Sequence, residues 1–199
     1  MLASAAAMAA PAGPGGELIR RNDDSVAQQL AAQITDATHP QLGGAPDAYG
    51  LYSAYPAAGL LLAGSAALAS QGSRFYRSDE LRRRLLLAVK YLEGKQHADG
   101  TIDLLTTNFH STPDLGFVVH NVAGAAWIAR RHGEPGLFAA LEPFLTRAGA
   151  ALAAGHLAVD LPSHRATVAG REVDLTATEY AQLEAEWQKA RAEALSKAK

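Results

Sequence analysis

The chain has no cysteine, which removes disulfides, thiolate metal sites, cysteine-type zinc fingers and a cysteine nucleophile from the possibilities. It also lacks a strong charge of either sign. Eighteen Lys and Arg stand against twenty Asp and Glu, a formal net charge of -2, so nothing drives the whole molecule toward nucleic acid or anionic lipid. Any polyanion must be gripped locally. No apolar run is long enough for a membrane helix: Leu60 to Ala69 falls well short of the roughly 20 residues required and reads as a buried helix. The first sixteen residues, MLASAAAMAAPAGPGG, have no basic start and only a weak apolar stretch, which predicts a disordered leader over 1–16 and a cytoplasmic location. No short exact repeat is present, which excludes ankyrin-type and tetratricopeptide-type solenoids.

What is present is helical periodicity. In DDSVAQQLAAQITDA, Asp24 or Ser25 is a candidate N-cap, and Val26, Leu30 and Ile34 recur at helical spacing. HPQLGGAPDAYGLYSAYP is too rich in Gly, Pro and Tyr for a helix and reads as an ordered loop. From Ala57 to about Ser70 the chain has no polar face, as expected of an inner helix. Ser78 caps the clearest helix, with Leu81, Leu85, Val89 and Leu92 on one face. A loop, HADGTIDLLTTNFHSTPD, leads to a helix from Leu115 to His132 that Gly133 stops. The last clear helix runs from about Glu134 to Ala154, with Pro143 inside it. Long and short connections alternate, so the fold class is mainly all-α, an array of α/α hairpins rather than an up-down bundle. Beyond Gly155, weak alternation and turn signals predict extended structure or a short hairpin, and Thr176 or Thr178 starts a charged C-terminal helix. The expected division is a leader at 1–16, a helical domain at 17–165 and a tail at 166–199.

Three segments in order, GGAPDAYGLYSA, QHADGTIDLLTTNFHSTPDLGFVV and SHR, resemble the α/α-toroid part of heparinase II/III-like polysaccharide lyases. The resemblance runs from about Leu42 to Arg165, part of such a toroid, and implies a partial ring of hairpins around a carbohydrate cleft. Lyases of this kind remove a weakly acidic proton beside a uronate carboxylate, and they need a group to neutralise that carboxylate, a base, and an acid for the leaving oxygen. The resemblance assigns Asn108 to the carboxylate, His110 or His164 as base, Tyr49 or Tyr52 as acid and Arg165 as anion clamp. Asp47, Asp114 and His120 are further candidates for substrate contact. The implied partner is an anionic polysaccharide or oligosaccharide, with no cofactor, metal, nucleic acid or membrane. Ala48, Ser163 and His120-Asn121 depart from the family pattern, as an inactive or truncated toroid would.

Rival readings stand beside this one. An α/α-toroid glycoside hydrolase would use two carboxylates from Asp47, Asp103 and Asp114. A non-catalytic helical binding module needs none of the roles. Locally, Ser111, Pro113 and Asp114 also suit a helix start, and the tyrosines, Tyr55 included, suit packing with hydroxyls at a rim. His120 reads as a core or cleft histidine. His97 and His132 read as cations near helix ends. Arg82-Arg83-Arg84 reads as a solvated face. Separately, TVAGREVDLTATEYAQL resembles the start of the winged-helix output domain of response regulators, without the recognition helix that DNA reading requires.

Overall fold

A computed structural model describes residues 13–106 and 108–154, together with strand segments at 157–160, 165–168 and 171–173. The protein is mainly helical and divides into two compact units, 1–151 and 152–199.

The first unit holds helices α1 (Pro14–Ala32), α2 (Tyr55–Ala69), α3 (Asp79–Lys95), α4 (Thr112–Arg131) and most of α5 (Pro135–Ala154). Helix α1 starts well before the predicted Asp24 or Ser25, and takes in the end of the predicted leader. Pro14 supplies a preset φ in the first turn, and Glu17 binds Arg20 and Arg21 one turn on. The rest of that leader lies outside the described residues. The helix also ends before Ile34. Gln33 turns extended, and its buried amide donates to the Gly43 and Arg84 carbonyls while accepting from Arg84. These bonds tie the long 33–54 loop to α3.

Helix α2 is the inner helix its composition predicts. Ala57, Ala58, Leu60, Leu61, Ala67 and Leu68 are all buried, and it packs against α1, α3 and α4. At Gly64 an added Cβ would fall 2.6 Å from Leu85, so the small residue sets how closely α2 and α3 approach. The Ser78 hydroxyl accepts from the Leu81 N–H, the cap read from sequence, and such a cap contributes about 1 kcal/mol. Leu81, Leu85, Val89 and Leu92 are buried as their spacing predicts.

The Arg82-Arg83-Arg84 run is not one solvated face. Arg83 is exposed and pairs with Glu80 one turn away, but Arg82 forks onto both oxygens of Glu134 before α5, at 2.6 and 2.7 Å. Arg84 reaches Gln33 and the Leu30 carbonyl. Successive helical residues diverge by about 100° around the axis, so three adjacent arginines serve three neighbours.

Between α3 and α4 the predicted loop is an antiparallel hairpin, β1 (Ile102–Leu104) with β2 (Asn108–Ser111), in which Ile102 pairs with Ser111 and Leu104 with Asn108. Ile102 is fully buried and anchors it. The Asp99-Gly100 turn before it packs on α5: at Gly100, φ is +87° and a Cβ would fall 2.3 Å from the Arg147 carbonyl oxygen. Only glycine fits there. No helix among the described residues is long and apolar enough to cross a membrane.

In the second unit, β3 (Leu157–Asp160), β4 (Arg165–Val168) and β5 (Arg171–Val173) form an antiparallel sheet in sequence order, the extended structure predicted after Gly155. The sequence boundary drawn at 165/166 falls inside β4, because β3 needs β4 as its partner. The predicted C-terminal helix lies outside the described residues.

Candidate functional site

Long connections at 33–54 and 96–111 alternate with short ones, and alternating helix directions bring the two long loops to one end of the first unit. The contacts agree. The Tyr55 hydroxyl, at the start of α2, donates to Asp114 Oδ1 at the start of α4 across 2.6 Å. A cavity of about 160 Å³ is lined by Tyr52 and Ser53 from one loop, by His97, Ile102 and Asp103 from the other, and by Lys95 at the end of α3.

Beside this cavity stand two histidine–aspartate pairs. The Thr101 hydroxyl donates to Asp99 Oδ1 at 2.6 Å, and its backbone N–H reaches the same oxygen at 3.0 Å, so the Asp-Gly turn orients the carboxylate. Asp99 Oδ2 lies 2.9 Å from His110 Nδ1, and the Thr101 oxygen lies 3.1 Å from it. With the Thr101 hydrogen already donated, both oxygens are acceptors, and the network assigns the proton to Nδ1. The lone pair then sits on Nε2, and the ring is more than half exposed. His97 has the opposite tautomer, because its Nε2 faces Asp103 Oδ1 at 2.7 Å. That oxygen also accepts the His110 backbone N–H at 3.0 Å. The two rings stack 3.9 Å apart, 19° from parallel. His110 has φ +54°, a left-handed conformation that costs a non-glycine residue of order 1 kcal/mol. The Asp99 and Asp103 bonds hold it there.

The charges follow from these bonds. The Thr101 hydroxyl, then its N–H, then His110 hold the Asp99 carboxyl far below the usual carboxylate range. Burial acts to raise Asp103, but the His110 backbone N–H and the two imidazoles outweigh it and leave the carboxyl lowered.

The neighbouring chain is closed on itself. Ser111 caps α4, accepting from Asn108 Nδ2 at 3.0 Å and from the Asp114 N–H at 3.2 Å, while its own hydrogen goes to Asp114 Oδ2. Tyr55 takes the other Asp114 oxygen, and burial followed by Asp114 pushes the phenol up to about 12.

The candidates read from sequence therefore separate. Asn108 and His110 sit together on β2, and Tyr52 lines the adjoining cavity. Tyr49 is 86% exposed at the tip of its turn. Asp47 closes that turn, with Oδ1 accepting the Tyr49 and Leu51 N–H groups, both at 2.9 Å. Asp114 is committed to Tyr55 and Ser111, a position fixed by helix capping. His120 is exposed on α4 instead of lying in a core, because helical spacing turns it away from buried Val118 and Val122. His164 lies outside the described residues, and Arg165 begins β4 in the second unit. His132 is the C-cap of α4, at the helix end where the sequence puts it. His97 lies just past the end of α3 as read, and its ring is in addition engaged by Asp103. The available signal was its place just before an Asp-Gly reversal, which returns Asp103 to it. Among the described residues no group of three or more His, Asp or Glu is arranged to hold a metal ion.

Compared with protein-family models, curated proteins and solved structures, the chain finds no match.

Proposed function

We propose that this protein acts on uronate-containing saccharide chains by β-elimination, in the manner of the heparinase-like lyases its loops resemble. The observation that carries the reading is His110, whose Nδ1–H is held by Asp99 and Thr101 and whose half-exposed ring stacks on His97, a residue that lines the cavity. An imidazole fixed in one tautomer is suited to take a carbon-bound proton. Alternating long and short connections support one arc of an α/α toroid with this rim as its cleft.

In this reading His110 Nε2 takes the proton from the carbon bearing the carboxylate. The released electron pair forms the ring double bond, the glycosidic carbon–oxygen bond breaks, and Tyr52 gives its proton to the leaving oxygen. Asn108 spends one amide hydrogen on Ser111, leaving the second and its carbonyl for the substrate. A donor aimed at charge that grows in the transition state contributes about 3 kcal/mol. The hydrolase alternative is less well supported, because Asp47 and Asp114 are engaged in turn closure and capping.

The test is ultraviolet absorbance of the unsaturated product from a panel of glucuronate, galacturonate and mannuronate oligomers. His110→Ala is expected to lower the rate by about a hundredfold or more. Saccharide binding with no such product, unchanged in His110→Ala, would instead assign the chain to binding without turnover. New reducing ends formed without any ultraviolet-absorbing product would assign it to hydrolysis.

A further inference from the structure

The cavity beside His97 meets a second one, of about 260 Å³, lined by Pro40, Gln41, Leu42, Lys90, Tyr91, Gly94 and Lys95. Gly94 and Lys95 belong to both. The Lys95 ammonium lies 5.1 Å above the Tyr91 ring and forms no ion pair among the described residues. Every arginine of α3, by contrast, has an acidic partner. Burial lowers the Lys95 pKa, with Asp103 partly opposing. A partly desolvated cation without a counter-ion is costly unless something anionic joins it.

A second, independent observation concerns polar atoms without partners. Among the described residues, three buried side-chain atoms have no hydrogen bond: Gln41 Oε1, Ser53 Oγ and Ser65 Oγ. Gln41 lines the second cavity and Ser53 the first. Two of the three thus flank Lys95. Buried polar atoms left unpaired inside the protein call for a partner, and a bound water, ion or ligand can supply it.

We infer that Lys95 is the carboxylate-binding residue of this cleft, seating one uronate carboxylate between the two cavities, with Ser53 and Gln41 contacting the hydroxyls of adjoining sugar units. This rests on the uronate reading above and gives Lys95 the clamp role that the sequence resemblance assigned to Arg165. Lys90, exposed at the rim of the second cavity, faces the next carboxylate along the chain.

The experiment is calorimetric binding to the full chain, with tetrasaccharides of glucuronate, galacturonate and mannuronate and with their methyl esters, which keep the shape and lose the charge. The native protein is expected to prefer at least one acid form over its ester by about tenfold or more. Lys95→Met should remove that preference and leave ester binding unchanged, whereas Lys95→Arg should retain it. If Lys95→Met does not fold, isotope-labelled dimethyl-lysine resonances of the native chain replace it, and the signal missing in Lys95→Arg should shift with the acid and not the ester. Equal binding of acid and ester, an undiminished preference in Lys95→Met, or no binding by any acid would overturn the inference. The outcomes separate the two readings. A Lys95-dependent preference without unsaturated product keeps this inference and removes the lyase, and product formation indifferent to Lys95 does the reverse.

Discussion

His110 lies flat on His97 with ring centroids 3.9 Å apart, and each ring spends one nitrogen on a different aspartate. Together the stack and the two carboxylates leave the His110 ring little freedom to turn. Asp99 is the member that fixes its tautomer, so Asp99→Asn is the diagnostic change. An amide can present its NH₂ to Nδ1 and shift the proton to Nε2, where the proposed elimination requires a lone pair. The expected outcome is a fall in elimination rate of about 10²–10⁴-fold with saccharide affinity nearly unchanged. Unsaturated-product formation beside calorimetric binding checks it, and a rate within a few-fold of native would show that the tautomer is not set by Asp99.

Gly100→Ala addresses the support beneath that arrangement. The residue has φ +87°, and its new Cβ would fall 2.3 Å from the Arg147 carbonyl oxygen, a backbone atom in α5 that has no flexible end to move. Strain of this kind costs roughly 1–3 kcal/mol, enough to lower the melting temperature by several degrees. Thermal unfolding followed by circular dichroism measures it. Gly149→Ala, in α5 with open space around the new methyl, is the control, and it should be neutral or slightly stabilising.

The helices were legible because burial and periodicity agree: Ser78 caps where the pattern begins, and α2 is apolar all round because it packs on three neighbours. The start of α1 was not, since its first turns depend on Glu17–Arg20 and Glu17–Arg21 pairs, not on an apolar stripe. The site was half legible. Asn108 and His110 stand out as polar residues in a short loop, whereas the partners of His110 come from a turn nine to eleven residues upstream. Asp114 reads from sequence both as a ligand and as a helix-start residue, because the same carboxylate chemistry serves both, and its bonds to Tyr55 and Ser111 place it in the first turn of α4. Lys95 gives no functional signal in the sequence, since a lysine in a last helical turn already has a reason to be there.

The hairpin should be stable to mild acid and open only in strong acid. Asp99 and Asp103 both have folded-state values below the ordinary carboxylate value of 3.8. A lowered folded value stabilises the fold at every pH above the unfolded value, and that contribution is lost as pH falls through the folded values. Protection should therefore hold from neutral pH to about 4 and decline below it. The His110 amide, bonded to Asp103, is the reporter, and its exchange with deuterium across this range checks the prediction. Opening well above pH 4 would mean that the two carboxylates do not control the hairpin.

The arginine run gives a contrast within one helix. Arg83 is exposed and pairs only with Glu80 in its own helix, so Arg83→Ala should change stability by less than about 0.5 kcal/mol. Arg82 joins α3 to the residue before α5 through both Glu134 oxygens, and the Glu134 side chain is only 13% exposed. Removing the guanidinium strands a mostly buried carboxylate, so Arg82→Ala should cost roughly 1–3 kcal/mol. Lysine is a poor replacement, because a single ammonium cannot fill both positions of the fork. The double variant Arg82→Ala, Glu134→Ala should recover part of the loss by removing the stranded charge as well. Denaturant unfolding of the native protein, Arg82→Ala, Glu134→Ala and the double variant completes the cycle. Equal effects at Arg82 and Arg83 would mean that the fork does not hold α5 against α3 in solution.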